Sequence, residues 1–211
     1  MRLLAAAALM LAPAPYHSSI RPLPAPLKAE LTGPYWRSNC PVSLSQLRLL
    51  TVRHWGFDGR PHTGQLVVHE DAAAPLSRVF RRLYELRFQI HHLRLEDMYD
   101  RRSWPDDGDV TASFECRQAV RSPCSGAAAG TGSWSNHAYG LAVDLNPVEN
   151  PYVGCGQTRD PEAVSFMDRT RHRRGMVTRA VIDAFASIGW EWGGDWSGNT
   201  KDYMHFSHNG H

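Results

Sequence analysis

Two short polar segments, far apart in the chain, constrain most strongly what this sequence can fold into. The first, Ser133–Pro147, reads S-W-S-N-H-A-Y-G-L-A-V-D-L-N-P, and the second, Lys201–Ser207, reads K-D-Y-M-H-F-S. Together they offer two imidazoles, a carboxylate and a spare carboxylate, which is the inventory of a catalytic zinc site with three protein ligands and a base. We therefore expect a fold that brings the two segments together.

Length and composition indicate one ordinary globular domain. The chain has 211 residues, of which 42% are hydrophobic, and this is enough for a sizeable core. The formal net charge is +2, and no face-sized basic cluster stands out in the sequence. We therefore expect a protein that binds no nucleic acid, and we expect it to be a monomer.

The first residues carry the pattern of an export signal. Arg2 precedes an apolar stretch, Leu3–Leu11, and Ala12-Pro13-Ala14 resembles a small-residue cleavage site. The stretch is much shorter than the roughly 20 residues that a membrane-spanning helix needs, so we expect no stable membrane insertion after processing. We predict a signal peptide at residues 1–14 and a secreted or cell-envelope protein. A misassigned start codon is the alternative interpretation.

Proline dominates the segment that follows. Five prolines lie close together between Ala12 and Pro34, and such a spacing disfavours both helix and sheet. We therefore predict an extended linker at residues 15–34 and a folded catalytic domain at residues 35–211.

The cysteines fit an exported protein with two disulfides, because they are even in number. They are Cys40, Cys116, Cys124 and Cys155. No C-x-x-C pair occurs among them, so a zinc-binding role for these thiols is disfavoured. Three pairings are possible, and the sequence does not choose among them.

Hydrophobic periodicity predicts a mixture of helices and strands. Helical spacing occurs at Asp71–Phe88 and Val177–Ile188. Strands are predicted at Val52–Phe57, Gln65–His69, His91–Met98 and Leu141–Leu145, and a short helix or turn at Ser43–Leu50. Because strands and helices do not alternate regularly, we predict a single α+β domain with a small, mostly antiparallel sheet flanked by helices and a zinc site in a cleft.

The position of Asp144 in the predicted strand lets its carboxylate face a candidate metal site. Side chains alternate along a strand, so Asp144 shares a face with Ala142 and Asn146, as in a strand that lines a site. His137 precedes the strand, and Gly140 allows the tight turn that would bring imidazole and carboxylate together. Taken alone, this pair has a plainer interpretation, in which Asp144 caps a turn and His137 lies on the surface.

The second segment is subject to one geometric condition. His205 lies between two apolar residues, so it points away from the buried face of its strand. Asp202 is three residues earlier and would face the opposite way in a regular strand. For both side chains to serve one site, the chain must bend or bulge between them, or Asp202 must precede the strand.

The two segments also carry a family resemblance. Together with G-W-E-W-G-G-D-W, they resemble the VanY-like zinc D-alanyl-D-alanine carboxypeptidases and related L-alanyl-D-glutamate endopeptidases, with the pattern S-x-H-x-x-G-x-A-x-D joined to (D/E)-x-x-H. This likeness covers roughly Cys40 to Ser207. It implies a Zn²⁺ ion held by three ligands, namely His137, Asp144 and His205. It implies Asp202 as the general base.

Three further residues are candidates for substrate binding. Arg117 lies in T-A-S-F-E-C-R, where relatives carry a similar element, and its planar guanidinium suits a carboxylate or a developing oxyanion. A plain surface arginine is the alternative. Ser113 and Ser135 are expected to form hydrogen bonds with substrate.

These features predict an exported bacterial zinc metallopeptidase that hydrolyses a peptide bond in peptidoglycan stem peptides. Carboxypeptidase action on a D-Ala-D-Ala end and endopeptidase action inside the stem both fit. The alternative from another class is a non-catalytic zinc-containing module of the same fold that binds peptide or cell wall. A hydrolase of another bond with the same zinc ligands is a third possibility.

Overall fold

In the computed structural model, a three-stranded antiparallel sheet frames the N-terminal part of the fold. Its strands are β1 (Ser18–Pro22), β2 (Leu47–Trp55) and β3 (Pro61–His69), in the order β1-β2-β3. The two strands that were predicted in this region are confirmed. The short helix or turn predicted from residue 43 is present only as a turn, because β2 begins at Leu47.

The proline-rich segment belongs to this sheet and to the core, so the prediction of an extended linker there is wrong. β1 pairs along its whole length with β2, and helix α1 (Ala25–Leu31) follows it. Leu27 and Leu31 are buried. The prolines are tolerated because β1 is an edge strand and because Pro26 lies in the first turn of α1, where a backbone N–H is not needed.

Helix α2 (Glu70–Glu85) covers one face of the sheet, as its periodicity predicted. The apolar stripe is buried, and it consists of Leu76, Val79, Phe80 and Leu83. Glu70 and Asp71 lie in the first turn, where negative charge is favoured by the helix dipole. The helix ends before Arg87, which has a left-handed φ of 53°.

A second antiparallel sheet carries Asp144 and His205. It consists of β4 (Ala142–Asp144), β8 (His205–Ser207) and β6 (Glu191–Trp192), in the order β4-β8-β6. Helix α5 (Arg179–Ala186), which was predicted, packs against α2 and β6. Phe206 is fully buried in the same core cluster as the stripe of α2, so one core joins the two sheets.

Smaller elements complete the domain. They are α3 (Leu95–Tyr99), α4 (Asn136–Tyr139), the two-stranded pair of β5 (Tyr152–Val153) with β7 (Lys201–Asp202), and 3-10 turns at Val164–Met167 and Gly193–Asp195. The prediction of a strand at residues 91–98 is wrong, because only an isolated bridge forms there and α3 follows. Glu96 and Asp97 in the first turn of α3 favour the helix.

These elements form a single α+β domain with small antiparallel sheets, which confirms the predicted fold class. The structure describes residues 14–120, 124 and 132–210. The predicted signal peptide lies outside this range except for its last residue. Among the described residues, none of the helices has the length and apolar character that crossing a membrane requires.

Two disulfides cross-link the domain. Cys40 pairs with Cys116, and Cys124 pairs with Cys155. The expectation of two disulfides is therefore confirmed, and the structure supplies the pairing that the sequence left open. The first bridge joins the segment after α1 to the residue beside Arg117.

Asparagine side chains hold the loop that leaves β4. Asn146 has a left-handed φ of 43°, and its amide donates to the carbonyls of Gln89 and Gly175 at 2.9 and 3.0 Å. The side-chain oxygen of Asn150 accepts from the backbone nitrogen of Val177 at 2.7 Å. The loop is therefore tied to the segments on either side of it, which anchors the end of β4.

Glu149 lies in the same loop and is 7% exposed. Its Oε2 has no hydrogen-bond partner among the described residues. Burial, followed by the neighbouring Asp109 carboxylate, raises the pKa of Glu149 from 4.5 to about 8, while Arg174 acts in the opposite direction. The folded state therefore binds this proton more tightly than the unfolded chain does. Stability is lost as the pH rises between these two values.

We expect Glu149→Gln to stabilise the metal-free protein more at pH 8.5 than at pH 5, since the neutral amide removes the cost of a buried charge. Thermal unfolding at both pH values measures the difference. Glu85→Gln, which changes an exposed glutamate of α2, serves as the control and should show no such pH dependence. An equal shift of Tm at both pH values in Glu149→Gln would contradict the expectation.

Candidate metal centre

A tight turn brings two of the candidate ligands to β4. His137 lies in α4, and Gly140 ends that helix in a left-handed conformation with a φ of 67°. A Cβ at Gly140 would lie 2.6 Å from the backbone nitrogen of His69, so only glycine fits there. The chain then enters β4, whose last residue, Asp144, is in register with His205 of β8.

The side chains of His137, Asp144 and His205 converge. Nε2 of His137 lies 3.2 Å from Nδ1 of His205. The Asp144 carboxylate lies 3.2 Å from Nε2 of His137 through Oδ2 and 3.0 Å from Nδ1 of His205 through Oδ1. Ligand atoms around a tetrahedral zinc ion with bonds of 2.0–2.1 Å are about 3.3 Å apart. The three donor atoms therefore have the spacing of a zinc site.

A backbone carbonyl sets the proton position on His137. Nδ1 of His137 lies 2.6 Å from the carbonyl oxygen of Ser113, so Nδ1 carries the proton and donates it. Nε2 is then the nitrogen with the free lone pair, and it faces Asp144 and His205. A hydrogen bond of this kind is the usual support of a metal-binding histidine.

The Asp144 carboxyl is held in its ionised form. Burial by itself would raise its pKa, but His137 and His205 hold the pKa of Asp144 well below its usual range. Two imidazoles and one ionised carboxylate form a nitrogen and oxygen donor set that suits Zn²⁺.

Asp202 reaches the same place because the chain bends between β7 and β8. The two strands belong to different sheets, and Tyr203 and Met204 form the bend that separates them. The bend removes the strict alternation that would have set Asp202 and His205 on opposite faces, so the condition placed on this pair is met. Asp144 and His205 both act on the pKa of Asp202, which makes the three side chains neighbours.

One oxygen of Asp202 has no protein partner. Oδ1 is buried and makes no hydrogen bond with any described residue. Burial and then the Asp144 carboxylate raise the pKa of Asp202 to about 7, while His205 and Arg117 lower it. An unpartnered buried oxygen near a group that could hold a metal ion fits a residue whose partner is a water molecule or a substrate atom.

Gly193 makes room for Asp202. The turn Gly193–Asp195 packs on β7, and a Cβ at Gly193 would lie 2.6 Å from the carbonyl oxygen of Asp202 and 2.9 Å from its Cβ. Such distances are too short for real contacts, so a side chain at this position must displace Asp202.

We expect Gly193→Ala to lower kcat by about 10²-fold, because a displacement of roughly 1 Å at a reacting group has that cost. Zinc content should be unchanged, since the three candidate ligands lie on other elements, namely α4, β4 and β8. Gly198→Ala is the control, because a Cβ at Gly198 meets no atom within 4 Å, so that this variant adds the cost of a left-handed φ of 73° without displacing a neighbour. A Gly193→Ala enzyme with the kcat of the unsubstituted protein would contradict this role.

Arg117 lies close enough to Asp202 to lower the pKa of that residue. Its side chain is 35% exposed, and its Nε donates to Oε2 of Glu115 at 2.8 Å. The guanidinium is therefore near enough to act electrostatically on the candidate base, partly open to solvent, and already paired with one carboxylate.

The two serines are used within the protein. The hydroxyl of Ser113 is buried and donates to the carbonyl of Ala142 at 2.7 Å. The hydroxyl of Ser135 accepts from the backbone nitrogen of His137 at 3.3 Å, as the N-cap of α4. Both contacts hold the His137 region in place, and the substrate contacts expected of these hydroxyls stay a prediction.

Sequence reasoning missed two supports of the site. The carbonyl of Ser113 has no signature in a sequence, because every residue has a carbonyl. Gly193 had a signal in the G-G pair that precedes Asp195, but the close approach of β7 to that turn follows only from the tertiary fold.

Comparison with known proteins supports the resemblance found in the motifs. Residues 129–208 match the family model of D-alanyl-D-alanine carboxypeptidase. The match includes His137, Asp144, Asp202 and His205, whereas Ser113 and Arg117 precede it. No solved structure matches the chain. The family match supports a peptidase, and the group formed by His137, Asp144 and His205 is one that could hold its metal ion.

Proposed function

We propose that this protein is a zinc peptidase that removes the terminal D-alanine from peptidoglycan stem peptides. The convergence of His137, Asp144 and His205 beside the unpartnered oxygen of Asp202 is the observation that carries the proposal. A purely structural zinc site has no need of a further carboxylate with a free oxygen. This argues for a peptidase over a non-catalytic binding module.

The three ligands would hold the metal ion with little rearrangement, because their donor atoms already have suitable separations. A bound zinc ion supplies a Lewis acid that polarises a carbonyl and makes water nucleophilic near neutral pH. His137 is kept in the required tautomer by the Ser113 carbonyl.

Asp202 is proposed as the general base. Its free oxygen would accept the proton of the attacking water and then deliver it to the nitrogen of the departing D-alanine. Gly193 would act as a positioning residue, because it allows the backbone of Asp202 to lie where it does.

Arg117 is proposed to bind the terminal carboxylate of the substrate. A guanidinium can hold a carboxylate by two parallel hydrogen bonds, and Arg117 is near enough to lower the pKa of Asp202 while part of its side chain is open to solvent. Its contact with Glu115 would orient the guanidinium while leaving other N–H groups for the substrate.

We propose that the protein acts outside the cytoplasm, as a monomer. Two disulfides among the described residues are typical of an oxidising compartment, and peptidoglycan lies in such a compartment. No nucleic acid is proposed as a partner.

Digestion of purified peptidoglycan, with mass analysis of the released fragments, tests the proposed function. We expect free alanine from pentapeptide stems, and release slowed by about 10²- to 10⁴-fold in the Asp202→Asn variant. Split stems without free alanine would replace carboxypeptidase action with endopeptidase action. Absence of any cleavage by zinc-loaded protein would overturn the peptidase proposal.

A further inference from the structure

A second group of histidine and acidic side chains lies outside the site described above. His91 and His92 follow α2, and Asp107 lies in the irregular segment after α3. Oδ2 of Asp107 is 3.5 Å from Nδ1 of His91 and 3.3 Å from Nε2 of His92. One donor atom from each residue lies within 4.8 Å of the others. The two distances to Asp107 are close to the value of about 3.3 Å for ligands of a tetrahedral metal ion.

Aromatic stacking holds the two imidazoles in place. The ring centroids of His91 and His92 are 4.1 Å apart, and the ring of Phe57 stacks on His91 at 4.5 Å and almost parallel to it. The guanidinium of Arg174 also lies over the Phe57 ring, 4.5 Å from the ring centroid. The donor atoms are therefore positioned before any ion binds, which reduces the entropic cost of binding.

Carboxyl groups accumulate on one side of the two histidines. Asp109 is buried, and its Oδ2 lies 3.0 Å from Nδ1 of His91, while its Oδ1 accepts from the backbone nitrogen of Val148. Glu149, the buried carboxyl with an unpartnered Oε2, lies next to Asp109. Asp107 and Asp109 therefore both contact His91, and Glu149 adds a third carboxyl group beside Asp109. Buried carboxylates are stable only when a cation or hydrogen bonds compensate them.

We propose that His91, His92 and Asp107 bind a divalent transition-metal ion at a second site, independent of the site at His137. Imidazole and carboxylate donors favour Zn²⁺ or a related ion over Mg²⁺ or Ca²⁺. The three side chains are 33%, 25% and 32% exposed, so the ion enters from solvent without any opening of the core.

The ring of His91 changes tautomer when the ion binds. In the metal-free protein, Nδ1 of His91 donates its proton to Asp109. On binding, Nδ1 gives up this proton and Nε2 takes one up from solvent, so the ring stays neutral, no net proton is released and the Nδ1 lone pair is given to the ion. The Asp109 carboxylate stays beside it as a compensating charge.

The role of this second ion is structural. The backbone nitrogen of His91 donates to the side-chain oxygen of Asn146 at 3.1 Å, and Asn146 lies in the loop that leaves β4. An ion at this site would therefore clamp the irregular segment that carries Asp107 onto the loop that anchors the end of β4.

Zinc stoichiometry tests the inference. Tag-free full-length protein is stripped with a chelator, dialysed against buffered Zn²⁺ and analysed for bound metal. We expect two equivalents in the unsubstituted protein, one in His205→Ala, one in His92→Ala and none in the combined variant. Asp107→Asn is the milder second variant, and circular dichroism checks that each variant is folded. His62→Ala is the control, because His62 pairs with Asp58 outside both groups and should keep two equivalents.

The two sites can fail separately in this experiment. If folded His205→Ala binds no zinc, or if both His92→Ala and Asp107→Asn keep the stoichiometry of the unsubstituted protein, the second site is overturned. If the unsubstituted protein binds one equivalent that His205→Ala keeps and His92→Ala loses, the second site stands and the His137 site is the one that fails.

Discussion

Asp202→Asn should lower the turnover of stem peptides by about 10²- to 10⁴-fold, the range that a positioned general base contributes. The amide has nearly the same shape as the carboxylate but cannot accept the proton of the attacking water. Zinc content should stay at that of the unsubstituted protein, because Asp202 is not among the three converging ligands. Measurement of kcat together with bound zinc checks both parts of the prediction.

The control for this variant is Asp183→Asn, which changes a solvent-exposed carboxylate of α5 that pairs with Arg179. It should keep full turnover. Asp202→Asn should also fold at least as stably as the unsubstituted protein at neutral pH, since it replaces a buried carboxyl by a neutral group. An Asp202→Asn enzyme with undiminished kcat would remove Asp202 from the role of base.

His137→Ala should lose the zinc ion of its site and the peptidase activity with it. Loss of a residue that merely supports a ligand costs about 10- to 100-fold in metal affinity, so loss of the ligand itself should cost at least about 100-fold. Equilibrium dialysis against a zinc buffer measures the change. The cavity left by the side chain is next to Ser113, whose carbonyl would also lose its donor.

His208→Ala is the matched control for His137→Ala, since His208 is an exposed residue of the segment after β8 and belongs to neither candidate metal group. It should keep both zinc content and activity. Full retention of zinc in a folded His137→Ala protein would mean that the three converging side chains are not the ligand set.

Hydrophobic periodicity predicted the elements in which the spacing of apolar residues matches the buried face. The stripe of α2 repeats at helical spacing, and the stripe proved to be its buried face. The strand that carries Asp144 was predicted by alternation and by the glycine before it. The N-terminal segment was not predictable in this way, because prolines at a sheet edge and in a first helical turn look the same in sequence as prolines in a linker.

The sequence by itself determined the chemistry that this protein can offer: two imidazoles and two carboxylates, at spacings that resemble one family. Tertiary structure decided whether those groups could meet. The bend between Asp202 and His205, the close packing of Gly193 on Asp202 and the carbonyl that orients His137 all depend on contacts between distant segments. Backbone groups and bends have no residue signature, because every residue carries the same peptide unit and only packing sets its direction.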